Sequence, residues 1–424
     1  MAGIRMAEPT GVRDGFARGG GSGELRQSNL TAILRYLRDH GPSSRHDTAR
    51  GCGLGVSTMT DLVGDLRSRR LVVELDPIRR PGAGRPTRPI ALDGEPWAVM
   101  GVHVEVDRIH VKGTTVGGTD LWQETATASF TDHHDGAEVL ARLVVDQLAH
   151  VGEGLQLVAV EIAVPGYVTP DGMAVTSRAL GWDGAGVGKA VRAALSDAGL
   201  PDVSVGLSSD FHLAGLYAAR AQLSDASSTV VAYFGGVTEM GSALVVNGEI
   251  FRGAGGGAGD LAHLHVQADG AECWCGRHGC LNSVVRVQEL LAHAGLRTPE
   301  EAAELVVTDP EGAVKLLADG AAAGDEAVCR ALDRAGTALG RAVDDVLGSV
   351  NPHAVILGGY VGHLASYLMP ALDRQLRARV HEGPYAGTRI LVTEEEAPPV
   401  TEGAVLAARD ACLYDPLGLT TPLR

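Results

Sequence analysis

The stretch Ala262–Asn282 reads AHLHVQADGAECWCGRHGCLN and packs three cysteines and three histidines into 21 residues. No other segment restricts the fold as strongly. Thiols this close together are disulfide-bonded, redox-active, bound to a metal, or simply buried. The N-terminus has no apolar run after its first basic residues, so no secretory leader is expected. No segment approaches roughly 18 uninterrupted apolar residues, so no membrane span is expected either. A cytoplasmic location follows, and there lasting disulfides are rare. Cys273 and Cys275 flank Trp274, Cys280 follows the turn GRHG, and His263 lies upstream, giving H-x9-C-x-C-x4-C. Three thiolates and one imidazole form the closed tetrahedral set of a structural zinc, which leaves no open position for catalysis. His265 and His278 compete with His263 as the nitrogen ligand on spacing alone. Unrelated buried cysteines beside a glycine-rich turn, or a redox pair, are the alternatives. Cys52, Cys329 and Cys412 stand apart and read as small buried hydrophobes.

Charge divides the chain. Residues 1–90 hold 15 arginines and no lysine against nine carboxylates, a net +6. The remainder holds 21 basic and 43 acidic side chains, a net −22. A basic head on an acidic body points to nucleic-acid contact confined to the head, with a merely soluble arginine-rich segment as the alternative.

Residues 1–23, rich in glycine and arginine, read as a disordered arm. Residues 24–92 then carry regular patterning. LRQSNLTAILRYLRDHG sets Leu30, Ile33, Leu34 and Leu37 on one helical face and stops at Gly41-Pro42. SSRHDTARGCG opens a short helix with Ser43 or Ser44 as N-cap and Asp47 in its first turn. After the turn GLGVS, a third helix turns Met59, Leu62, Val63 and Leu66 inward. Three short helices with a glycine turn before the last form a helix-turn-helix. LVVEL and RPIAL, joined by an arginine-rich tip, form a wing. In this geometry the third helix enters the major groove with Ser57, Thr58 and Thr60 at its leading end. Arg45 is expected on the phosphates and Arg85, in GAGRP, in a minor groove. A protein-binding three-helix module is the competing reading.

From residue 97 to 424 strand-like and helix-like segments alternate, as in two α/β lobes flanking a cleft. AVMGVHVEVDRIHVKGTTV reads as two strands turning at Asp107-Arg108, and LQLVAVEIAVPG as a buried strand. STVVAYFGG and SALVVNGEIF read as one strand each, and EAVCRALDRAGTALGRAVDDVLGSV as a long helix. Residues 25–92 and 97 to about 415 together resemble a transcriptional regulator of the ROK family (repressor, open reading frame, kinase). CWCGRHGCLN is similar to the family's C-x-C-G-x2-G-C-L-E zinc motif, and GDLAHLHV to its G-E-x-G-H-x2-V. VPGYV, LGW at Leu180–Trp182, LVVNGEIFRG and VILGG are further matches. The resemblance implies an α/β fold: an N-terminal winged helix-turn-helix followed by a two-lobed actin-like ATPase (RNase H-like) domain with a structural zinc. It also favours His263 as the fourth zinc ligand.

The family includes sugar kinases, so the phosphate-handling positions decide. Where kinases of the family carry D-x-G-G-T this chain has HVEVD, with His103 in the aspartate place and Glu105 in a glycine place. Where they carry G-T-G-x-G it has VTEMG, with Val237 and Glu239 displacing glycines. Added carboxylates repel triphosphate, and side chains block the backbone amides that would cradle it. Asp210, at the family's catalytic-base position, survives as a relic or as a sugar-hydroxyl or helix-cap group. The sugar-binding positions become Asp260, His263, Asn282 and Ala179. These point to a kinase-inactive regulator that binds a DNA operator as a homodimer or tetramer and responds to a sugar-like or other small-molecule effector. A sugar kinase and a regulator controlled by a protein partner are the rivals.

Overall fold

A computed structural model of the chain describes residues 22–77, 87–130, 136–223, 229–377, 385–393, 395 and 398–419. The expected arm therefore lies outside the described residues except for its last two positions. Residues 78–86 of the wing tip, including Arg85, lie outside them as well. The chain divides into two compact units: residues 1–93 with the segment from Leu413 onward, and residues 94–412. Assigning the tail's last residues to the first unit departs from the sequence reading, which runs the body to residue 424.

In the head, α1 (Ser22–His40) buries Leu30, Ile33, Leu34 and Leu37, the stripe that its 3.6-residue period specifies. Strand β1 (Ser43–Ser44) leads into α2 (Arg45–Gly51), whose N-cap is Ser44; its hydroxyl accepts the Asp47 N–H at 3.1 Å. Helix α3 (Val56–Ser68) buries Met59, Leu62, Val63 and Leu66 as patterned. Strands β2 (Val72–Glu74) and β3 (Pro89–Leu92) pair antiparallel as the wing, and β1 extends the sheet to the order β1-β3-β2.

The body begins with β4 (Trp97–Val104), β5 (Arg108–Thr115) and β6 (Asp120–Thr127). Then come α4 (Gly136–Asp146), β7 (Gln156–Val164), the small antiparallel sheet β8 (Tyr167–Val168), β9 (Val175–Ser177) and β10 (Trp182–Ala185), α5 (Val187–Asp197) and β11 (Ser204–Ser209). These close the first lobe around a sheet ordered β11-β7-β4-β5-β6. Strands β4 and β7 are almost wholly buried, while edge strand β6 is exposed at alternate positions. Helices covering both faces explain why QLVAVEIAV runs apolar without alternation.

Helix α6 (Asp210–Gln222) leads to the second lobe, with β12 (Val230–Gly235), β13 (Gly241–Val246) and β14 (Glu249–Ile250). SALVVNGEIF is not one strand. Asn247 and Gly248 take φ of 55° and 75°, so the chain turns back on itself there. An Asn-Gly pair accepts that left-handed turn, and it was the one signal in the segment that announced a hairpin. After the cysteine-bearing loop come α7 (Asn282–Val285), α8 (Val287–His293), α9 (Pro299–Thr308), α10 (Pro310–Ala322) and α11 (Glu326–Val350). Asp325 caps α11 through the N–H groups of Ala327 and Val328, and Asn351 ends it at a left-handed φ of 45°. Then follow β15 (Ala354–Leu357), α12 (Gly359–His363), α13 (Ala365–Leu376), β16 (Arg389–Val392) and α14 (Val400–Tyr414). The second sheet, β14-β13-β12-β15-β16, has the same mixed pattern as the first. Two such five-stranded lobes make the expected actin-like architecture. Among the described residues no helix is long and apolar enough to cross a membrane. Cys412 is buried and Cys52 half-buried, but Cys329 is exposed at the start of α11, correcting its reading as a core residue. Its place in the first turn fell on the helix's outer face.

Candidate metal centre, effector cleft and nucleic-acid interface

The loop between β14 and α7 is held by backbone rather than by regular structure. Isolated bridges pair His265 with Cys280 and Glu272 with His278. Between them Cys273 donates to the Arg277 carbonyl at 2.7 Å and Gly276 to that of Cys273 at 2.8 Å. Gly279, at φ 68°, passes so close to Gln267 that a Cβ would lie 1.9 Å from its carbonyl oxygen. The result brings His263, Cys273, Cys275 and Cys280 together, their ligand atoms all within 4.8 Å of one another. His265 and His278 do not join this group.

The separations fit a tetrahedral ion. Thiolates about 2.3 Å from zinc stand about 3.8 Å apart, and a thiolate and an imidazole nitrogen about 3.6 Å apart. Cys275 and Cys280 sulfurs are 3.7 Å apart, and Cys273 Sγ is 3.4 Å from His263 Nδ1. Burial, then the neighbouring thiols, push Cys280 up to about 12, and burial also raises Cys273. At Cys275 burial works upward too, but hydrogen bonds from the Arg277 backbone and guanidinium bring it below its usual value. Burial keeps the His263 ring neutral, as a ligand must be. Three crowded thiols, two of them reluctant to ionise, are the arrangement a bound cation relieves.

The same loop walls a cavity of about 550 Å³ in the body. Asp260, His263 and Trp274 come from the loop, Asp210 from the start of α6, Asn282 from α7, Tyr167 from β8 and Arg178 from the turn after β9. His263 turns Nε2 toward Asp260 Oδ1 at 4.0 Å while Nδ1 faces the sulfurs, so one ring serves both sites. The Tyr167 hydroxyl donates to Asp260. Asn282 is buried with both polar ends engaged: Oδ1 accepts the Met240 N–H at 2.9 Å and Nδ2 donates to Glu239 at 2.5 Å. Asp210 accepts the Phe211 N–H at 2.8 Å, and burial pushes its carboxyl up to about 7. Ala179 lines the cavity without a polar group. Tyr167, Arg178, Trp274 and Arg286 also line it and were not anticipated; only Trp274, lying between two ligand cysteines, had a sequence signal pointing there.

At the kinase phosphate positions the side chains face one another. His103 in β4 pairs in register with His110 in β5, and Glu105 sits 4.0 Å from His103 Nδ1 and 3.5 Å from His110 Nε2. Burial, reinforced by His110, drives His103 down to about 3, so this ring is neutral at physiological pH. Val237 is exposed and Glu239 is held by Asn282 and by Arg286 at 3.7 Å.

In the head, Ser57, Thr58 and Thr60 are exposed at the start of α3, and Thr60 donates back to the Val56 carbonyl at 3.1 Å. Val56, on the same turn, is 69% exposed. Arg45 already pairs with Glu74 at 2.6 Å, while Arg50 remains 77% exposed beside Asp47. The chain's last described residues complete this unit. Thr31 donates to the Tyr414 carbonyl at 3.2 Å, the Arg35 guanidinium lies 5.3 Å from the Tyr414 ring centroid, and Arg69 donates to the Leu419 carbonyl at 2.8 Å.

Comparison with known proteins agrees with this architecture. The chain is 21% identical over 363 residues to the DNA-binding transcriptional repressor Mlc of Escherichia coli K12, covering 84% of this chain and 86% of that one. It is 22% identical over 362 residues to the xylose repressor of Bacillus subtilis, covering 84% and 88%. A crystal structure of a ROK family transcriptional regulator, a homologue of the E. coli Mlc protein, superposes with a TM-score of 0.74 at 20% identity, over 93% of this chain and 98% of that one. A ROK family glucokinase from Streptomyces griseus, solved with glucose and AMPPNP, superposes with a TM-score of 0.54 at 21% identity, covering 73% of this chain and 98% of its own. The ROK family profile matches residues 112–410, most of the body, and the chain belongs to the ROK family.

Proposed function

We propose that this protein is a DNA-binding transcriptional regulator, acting as a repressor, that senses a small sugar-like molecule and no longer transfers phosphate. The observation that carries the reading is the coexistence of a winged head with a ROK body whose phosphate positions hold His103, Glu105, Val237 and Glu239. Relatives matched over most of their length include repressors named for xylose and for N-acetylglucosamine, which supports both a DNA operator and a carbohydrate effector.

The parts have separate tasks. Arginines of the head neutralise phosphates, and Ser57, Thr58 and Thr60 of α3 read base edges. A homodimer or tetramer presents paired heads to a two-fold operator, and an effector in the cleft shifts the lobes so that operator affinity changes. His263, Cys273, Cys275 and Cys280 hold a zinc ion, which ties the loop that walls the cleft. Asp210, Asp260, His263 and Asn282 surround the effector.

Selection of bound duplexes from a random pool, followed by binding of the selected sequence at increasing salt, tests the DNA reading. A steep fall in affinity with salt and a unique selected sequence are expected. The kinase reading draws on the retained Asp210 and predicts ATP consumption with a hexose in a coupled assay; silence there, with operator binding intact, is the expected result.

A further inference from the structure

The cavity's charged groups are nearly all satisfied from within. Glu239 takes Asn282 Nδ2 and Arg286, Arg286 also reaches Glu289 at 2.5 Å, and Asp260 takes the Tyr167 hydroxyl. Arg178 differs. It lines the cavity directly after β9, forms no ion pair among the described residues, and has its guanidinium 5.8 Å from the centroid of the Trp274 ring. Trp274 is 43% exposed and stands edge-on to His263, with ring centroids 4.8 Å apart at 83°. An arginine resting on an aromatic face keeps its N–H fork open and pre-aimed, and that fork matches carboxylate and phosphate oxygens two at a time. The indole offers an apolar platform to the C–H face of a sugar ring.

We propose that the cleft takes a monosaccharide-sized ligand bearing an anionic group, with Arg178 gripping the carboxylate or phosphate and Trp274 stacking against the ring. This rests on the effector reading of the cleft and specifies its ligand class. The carboxylates already have partners, so a neutral sugar leaves Arg178 unanswered, whereas a sugar acid or sugar phosphate completes the set. The two gripping groups come from the small sheet and from the metal loop, so the ligand spans the cleft between them.

Calorimetry on the full-length, metal-loaded protein tests this with glucose, xylose and N-acetylglucosamine against glucuronate, gluconate and glucose 6-phosphate, with inorganic phosphate as control. Binding of at least one anionic sugar, tenfold or more tighter than its neutral counterpart, is expected. Glucuronate and gluconate against glucose 6-phosphate identify which anion is preferred. Arg178→Gln, at an exposed position, should reduce the anionic-over-neutral preference roughly ten- to a hundredfold. Trp274→Phe should remove the ligand-induced change in tryptophan emission while the metal stays bound. Neutral sugars binding as tightly as anionic ones, or an unchanged preference in Arg178→Gln, overturns the anionic subsite but leaves the effector cleft intact. Silence across the whole panel overturns both.

Discussion

Replacing Asp210 with Asn should stabilise the protein at neutral and alkaline pH and do little in acid. The carboxyl is pushed from the ordinary 3.8 up to about 7 chiefly by burial, with Glu105 adding repulsion. A folded-state value above the unfolded one means that the folded chain holds the extra proton. Stability is therefore fully present below about pH 4 and falls as pH rises through about 7. Each unit of difference is worth about 1.4 kcal/mol, so the ceiling over three units is about 4 kcal/mol. The neighbouring cavity admits water beside the carboxylate, so about 2 to 4 kcal/mol is the working expectation. Asn keeps the Oδ1 that accepts the Phe211 N–H, so the local bond survives. Glu161, also raised by burial, titrates alike in both proteins and cancels in the difference. Urea unfolding at half-unit steps from pH 4.5 to 8.5 measures this directly: the two curves should draw together toward the acid end and diverge toward pH 8. Parallel curves, or a variant less stable at pH 8, would refute the assignment of a buried, proton-holding carboxyl.

The remaining expectations concern the metal loop, the cap and the tail. Cys273→Ser or Cys280→Ser should abolish bound zinc, measured by atomic emission, and lower the melting temperature of the body. A serine variant that retains one metal per chain would exclude these ligands. Ser44→Ala removes the acceptor for Asp47 N–H and should destabilise the head by about 1 kcal/mol, read from urea melts. Truncation after Cys412 deletes the partners of Thr31, Arg35 and Arg69 and should raise amide exchange in α1 and α3 while leaving the lobe cores protected.

What the sequence disclosed follows the range of the forces involved. Amphipathic stripes in α1 and α3, the length of α11 and the buried strands β4 and β7 are set by local periodicity, and they lie where the pattern puts them. The clustering of His263, Cys273, Cys275 and Cys280 was legible because tetrahedral chemistry needs fixed residue types at short spacing. Spacing could not choose among His263, His265 and His278; the fold does, by bringing only the His263 ring among the three sulfurs. Cleft residues such as Arg178 and Tyr167 were invisible because they meet the metal loop only through the fold, about 95 residues away in the chain. Asn282 was expected to face a ligand, and its place in the cavity is right, yet the Met240 N–H and Glu239 already occupy its polar ends. Exposed Cys329 shows the limit of reading an isolated cysteine without its neighbours.

The bonds from Gln27 and Thr31 to Tyr414 join residues 387 and 383 positions apart. During synthesis α1 leaves the ribosome long before its partner exists, and every strand of both lobes is made in between. A polypeptide halted within the body therefore carries an unfinished head. Loop closure over so long a span comes late in folding. In any such fragment the polar groups of Thr31 and Arg69 that the tail would engage are left to water.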